Sequence, residues 1–137
     1  MVGVDYSEES VQFASHISKA KGYDTNASFM AADIFDSSWS PGKFDIVLDK
    51  GTLDAIALSG KKFANDKTVI DVYSTVIEKL LESGGIFLIT SCNFTEQESI
   101  NIVQTDRLKV WKRINYPVYE FGGVKGTTIC SVAFVKQ

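Results

Sequence analysis

The chain has 137 residues, 45% of them hydrophobic and 23% charged, with a formal net charge of -3. That length fits one domain with a buried core, and the acidic balance lacks the clustered basic footprint of a nucleic-acid binder. No run approaches the roughly 18 apolar residues of a membrane span, and Met1-Val2-Gly3-Val4-Asp5 lacks the basic start of a signal peptide.

The expectation is therefore a soluble, cytoplasmic monomer that binds neither nucleic acid nor membrane. Cys92 and Cys130 have neither zinc-site spacing nor the density of a disulfide framework, so both are expected to be reduced.

In chain order, Val2-Gly3-Val4 is a short apolar run ending at Asp5. Ser7 follows as a helix N-cap, with Glu8 and Glu9 in the first turn where carboxylates favour the helix dipole. Phe13, Ile17 and Ala20 recur at helical spacing with Val11 and Ala14 beside them, which predicts a helix from about Glu8 to Lys21. Ala27 to Ala32 predicts a strand ending at Asp33-Ile34-Phe35, and Ser37 to Lys43 a loop with a Pro41-Gly42 breaker. Phe44-Asp45-Ile46-Val47-Leu48 then reads as a strand buried on both faces, the pattern of parallel sheets. It stops abruptly at the polar turn Asp49-Lys50-Gly51-Thr52.

Ser59 to Lys67 is polar and irregular, a loop. Val69, Ile70, Tyr73, Val76, Ile77, Leu80 and Leu81 carry the strongest helical period in the chain, stopped by Gly84-Gly85. Ile86-Phe87-Leu88-Ile89 is a further buried strand with a polar end at Thr90-Ser91-Cys92-Asn93, and Thr95 with Glu98 has capping-box spacing for another helix. Val110, Ile114 and Tyr116 mark one extended segment and Thr128 to Val135 a second, an antiparallel pair with Phe121-Gly122-Gly123-Val124-Lys125-Gly126 between them. The whole predicts an α/β chain with a mostly parallel sheet and an antiparallel C-terminal strand pair.

Chemistry is expected at the strand ends, because open α/β sheets bind ligands outside the carboxyl ends of their strands. Asp5, Asp33 and Asp49 all fall there. A carboxylate after the second strand of a nucleotide-binding unit can accept from both ribose hydroxyls, and one after the next strand from an adenine amine. Tyr6, Ile34 and Phe35 could flank the base. Each aspartate could equally cap a helix or turn, as could Thr52, Asp54 and Asn93. His16, the sole histidine, has no triad partner by spacing. Trp111, Tyr116, Tyr119 and Phe121 could line a substrate channel, although packing of edge strands is the favoured reading.

Val4-Asp5-Tyr6-Ser7, Ala32-Asp33-Ile34, Phe44 to Asp49 and Gly84-Gly85-Ile86 resemble, in that order, the landmarks of class I, seven-strand S-adenosylmethionine-dependent methyltransferases. Asp49 to Ile56, Ile89 to Asn93 and Phe121-Gly122-Gly123 resemble more narrowly the lysine methyltransferases that modify translation elongation factor 1-alpha. The resemblance implies a Rossmann-like fold, S-adenosyl-L-methionine as cofactor and that elongation factor as protein substrate. It implies cofactor contacts at Asp5, Tyr6, Asp33, Ile34 and Asp49, catalytic roles at Asp49, Thr52 and Asn93, and no metal.

The family begins with a strand and a glycine-rich loop that have no counterpart here, and that strand is central in the family's sheet. Residues 1–137 are accordingly expected to be a single, N-terminally truncated domain that binds the cofactor weakly or not at all. The alternatives are a non-catalytic Rossmann-like interaction module and a nicotinamide-dependent oxidoreductase. The latter accounts poorly for Asp33, the Asp49 turn and the antiparallel ending.

Overall fold

The computed structural model describes residues 1–117, 119–126 and 129–137, and the side chains of all these except residues 119, 121, 124 and 125. The chain divides into two compact units, Met1–Pro41 and Gly42–Gln137.

The first unit is a strand, a helix and a strand: β1 (Val2–Asp5), α1 (Glu8–Ala20) and β2 (Ser28–Ala31). β1 and β2 pair in parallel, with Asp5 opposite Ala31, and the ladder extends through the Ala32 amide to the Asp5 carbonyl at 2.9 Å. Ser7 caps α1 as its sequence requires, its Oγ accepting from the Ser10 amide at 3.1 Å. Gly3 is fixed by packing: a Cβ there would lie 2.5 Å from Cδ1 of Phe29, on the paired position of β2.

The second unit holds β3 (Phe44–Lys50), α2 (Thr52–Leu58), a 3₁₀ turn (Ala64–Asp66), α3 (Val69–Leu80), β4 (Leu81–Ser91), α4 (Glu96–Val103), β5 (Leu108–Ile114), β6 (Tyr119–Phe121), β7 (Val124–Gly126) and β8 (Cys130–Lys136). β3, β4, β8 and β5 form one sheet in that order. The β3–β4 pair is parallel, whereas β4–β8 and β8–β5 are antiparallel. The α/β, Rossmann-like class with an antiparallel C-terminal pair is thus the class observed.

One face of this sheet is the core. Val47, Phe87, Phe134 and Val110 are lateral partners in one row, and Asp49, Ile89, Val132 and Arg113 in the next. Laterally paired residues share a face. Tyr73 of α3 meets the Phe87 ring at 6.1 Å between centroids, and Phe87 stacks on Phe134 at 6.2 Å. These three side chains are fully buried, as are Leu53, Leu81, Leu108 and Val103.

The other face corrects the sequence reading of β3. Ile46 is 60% exposed and Leu48 70%, so β3 is not buried on both faces. It is the edge strand of its sheet, and α2 and α3 pack on the side that carries Val47 and Asp49. Three further elements differ from expectation. The turn read at Asp49-Lys50-Gly51-Thr52 runs directly into a helix that the sequence did not show, since α2 begins at Thr52. β4 begins at Leu81 rather than Ile86, because Phe44 pairs with Leu81 before the register shifts. The glycine segment 121–126 belongs to a hairpin in which β6 pairs with β7. The helices expected near residues 8–21 and 69–81, and the one started by Thr95, are all present. Of the extended segment expected from Thr128, residue 128 lies outside the described residues.

Candidate functional site

In the first unit the parallel pairing brings Asp5 and Asp33 to the same end of the two strands. Asp5 is exposed, and its Oδ1 accepts from the Ser7 amide at 2.8 Å. Asp33 is half-buried, and its Oδ1 accepts from the Phe35 amide at 2.9 Å. Each aspartate therefore closes a short turn at a strand tip, the cap reading. Tyr6 is exposed and Ile34 half-buried. Two carboxylates with an aromatic ring and apolar side chains fit a nucleoside: acceptors for sugar hydroxyls and an exocyclic amine, and flat surface for the base.

In the second unit the carboxyl ends of β3 and β4 lie side by side, and the Gly51 amide donates to the Thr90 carbonyl at 3.2 Å. Gly51 takes the left-handed conformation, φ 84°, that lets the chain leave β3 and enter α2 within one residue. Asp49 makes the turn work. Its Oδ1 accepts from the Thr52 amide at 2.8 Å, its Oδ2 accepts from the Leu53 amide at 3.1 Å, and the Tyr73 phenol donates to that same Oδ2. It thus satisfies two of the amides that open α2, which has no side-chain cap at Gly51 itself. Asp49 is 7% exposed, and burial raises its carboxyl above the ordinary range against the opposing effect of those donors. Tyr73 is pushed well above its usual value, first by burial and then by the charge of Asp49.

Asp54 does for β4 what Asp49 does for β3. It is 6% exposed, and it accepts from Ser91 Oγ at 2.6 Å and from the Cys92 amide at 3.0 Å. Ser91 Oγ in turn accepts from the amides of Asn93 at 3.2 Å and Phe94 at 2.9 Å. The two strand-end turns are therefore built by internal carboxylate bonds on the helix-covered face. Thr52 and Asn93, both expected to be catalytic, are exposed beside these turns, and their described bonds are made by their main-chain amides. The structure brings Asp49, Thr52 and Asn93 to one end of this sheet, and Asp5, Tyr6, Asp33 and Ile34 to one end of the other. His16 is exposed on α1, and Cys92 and Cys130 are both free thiols.

The sequence leaves Asp54 open between a chemical role and a cap or turn role, and it does not single out Tyr73 or Ser91 as site residues. Tyr73 was legible only as a helix-period apolar position, because its partner Asp49 lies on another element.

Among the described residues, no helix is long and apolar enough to cross a membrane. Over its whole length the chain is 63% identical to protein-lysine N-methyltransferase EFM4 of Saccharomyces cerevisiae, covering 60% of that protein. It is 37% identical over 98% of its length to efm4 of Schizosaccharomyces pombe, and 29% identical over its whole length to EEF1A lysine methyltransferase 2 of Homo sapiens, covering 56% of each. The chain thus spans little more than half the length of these relatives. Among solved structures, it is similar in fold to N-methyltransferase NodS of Bradyrhizobium japonicum, in complex with S-adenosyl-L-homocysteine, with a TM-score of 0.64 at 17% identity, covering 98% of this chain and 65% of that one. The PH0226 protein of Pyrococcus horikoshii gives a TM-score of 0.72 at 12% identity, covering all of this chain and 71% of that one. A family profile described as a methyltransferase domain matches residues 1–123, and the chain belongs to that family.

Proposed function

We propose that this chain is part of an S-adenosyl-L-methionine-dependent protein-lysine N-methyltransferase acting on translation elongation factor 1-alpha. The observation that carries the reading is the 63% identity, across every residue of the chain, to a protein named for lysine methylation. The strand-end geometry supports it, because the parallel strands β1, β3 and β4 each lead into polar residues at their carboxyl ends, where ligands of α/β sheets sit.

In the first unit Asp5, Tyr6, Asp33 and Ile34 would hold the nucleoside part of the cofactor, which when bound supplies an electrophilic methyl group on a sulfonium. In the second unit the ends of β3 and β4 would hold the acceptor amine. Transfer of that methyl group to the amine would leave a neutral thioether and one N–H proton that passes to water. Alignment of nucleophile and leaving group supplies much of such a rate. Asp49 serves as a positioning residue: its carboxylate is occupied by Tyr73, Thr52 and Leu53, and it holds the Gly51-Thr52 turn in place. Thr52 and Asn93 are the exposed side chains at this end that would border the amine.

Transfer of a labelled methyl group to a lysine of elongation factor 1-alpha tests the reading. Label on lysine supports it, whereas cofactor binding without label under saturating conditions favours the interaction-module alternative. Binding of a nicotinamide cofactor in preference to S-adenosylmethionine would overturn it.

A further inference from the structure

One row of side chains runs across all four strands at the functional end of the larger sheet. Lys50 of β3 pairs with Thr90 of β4, Thr90 with Ser131 of β8, and Ser131 with Ile114 of β5. Neighbours in register share a face, so this row projects from the side opposite Asp49. β5 ends at Ile114 at this same edge, and Tyr116 lies just beyond it. Its hydroxyl turns back onto the row.

The result is a chain of three hydroxyls. Thr90 Oγ1 and Ser131 Oγ are 2.7 Å apart, and Ser131 Oγ and the Tyr116 hydroxyl 2.8 Å. Ser131 is 1% exposed and sits in the middle, while Thr90 and Tyr116 are half-buried at the two ends. A hydroxyl has one proton and two lone pairs. Ser131 can therefore donate to only one neighbour, and the chain has a direction. When Tyr116 donates to Ser131 and Ser131 to Thr90, the phenol oxygen is left with lone pairs only and accepts an N–H.

The neighbouring carboxylates cannot substitute for it. Asp49 and Asp54 are buried on the helix-covered face and already accept internal donors. A carboxylate beside an amine would also favour the charged ammonium, which has no lone pair to attack with. A hydroxyl acceptor orients an amine without that electrostatic cost.

We propose that Tyr116 contacts the acceptor amine of the protein substrate, with Ser131 and Thr90 as positioning residues that fix the direction of its hydroxyl. The proposal rests on the methyltransferase reading above and adds the residue that orients the nucleophile.

The test is the steady-state kinetics of methyl transfer by wild type, Tyr116→Phe, Ser131→Ala and the double variant, with thermal melting and cofactor binding measured for each. Tyr116→Phe should lower kcat by about tenfold to a hundredfold while KM for the cofactor and the melting temperature are kept. The double variant should be no worse than Tyr116→Phe alone, because Ser131 acts through the phenol. An unchanged kcat in Tyr116→Phe overturns the proposal while the methyltransferase reading stands, as does a fall in kcat no larger than the loss of folded protein. Additive losses in the double variant also overturn it. A wild-type chain that binds the cofactor and transfers no methyl group overturns both readings.

Discussion

The phenol of Tyr73 on α3 donates to the carboxylate of Asp49 at the end of β3, so residues 24 positions apart share one buried bond. That bond joins the largest fully buried side chain of the core to the turn where chemistry is proposed. Removing the phenol leaves Asp49 short of a donor in a buried position. Tyr73→Phe should therefore cost about 1.5–3 kcal/mol, the range for a hydrogen bond to a charged group. Urea denaturation measures it, and a change below about 0.5 kcal/mol, within the ordinary scatter of surface substitutions, would show the bond to be unimportant.

The same carboxylate sets a pH dependence. Burial holds the folded-state value of Asp49 above its ordinary one. A raised folded value means that the stabilising contribution is fully present below the unfolded value and is lost as pH rises through the folded one. Wild type should thus gain stability relative to Asp49→Asn as pH falls from neutral toward about 4. Denaturation of both proteins across that range checks the sign; a difference that is flat or grows with pH contradicts it.

Asp54 and Ser91 should behave as a pair. Ser91→Ala removes the donor at 2.6 Å and should destabilise by about 1–3 kcal/mol, because a buried carboxylate loses a partner. In a double-mutant cycle with Asp54→Asn the two effects should fall short of additivity by about 0.5–3 kcal/mol. Strict additivity would mean that the two residues act independently.

Lys136 offers a test at the opposite end of the sheet. Its Nζ donates to the carbonyls of Glu78 at 2.6 Å and Leu81 at 2.7 Å, which satisfies acceptors at the end of α3. Lys136→Met keeps the apolar stem and loses the donor, and should cost about 1–3 kcal/mol. Amide exchange in the last turn of α3 should accelerate in the variant; unchanged protection would remove Lys136 from the account.

How much of this was legible in the sequence follows the range of the interactions. The starts of α1 and α4 depend on bonds across three residues, Ser7 to Ser10 and Thr95 to Glu98, and both could be read directly. The period from Val69 to Leu81 identified α3 for the same reason. α2 was missed because its seven residues are too short for a period and its cap, Asp49, sits before the glycine rather than at it. The start of β4 was misplaced because pairing of Phe44 with Leu81 carries the strand across Gly84 and Gly85. The hairpin of β6 and β7 was passed over because its three-residue strands are too short for alternation to show.

At the site, the aspartates at strand ends were legible one by one, since each follows an apolar run. Their partners were not. Tyr73 reaches Asp49 across 24 positions, Ser91 reaches Asp54 across 37, and the Thr90–Ser131 contact spans 41, so each depends on packing or register rather than local pattern. The exposure of Ile46 and Leu48 was hidden for a similar reason: four apolar residues read alike whether a strand is central or at an edge.

Mapping of methylated lysines on elongation factor 1-alpha by mass spectrometry, after incubation with S-adenosylmethionine and the protein of which this chain is part, tests the central claim most directly. The expected result is a methyl increment on a lysine side chain that is lost with Asp33→Ala. An unmodified elongation factor, from a chain shown by calorimetry to have bound the cofactor, would contradict it.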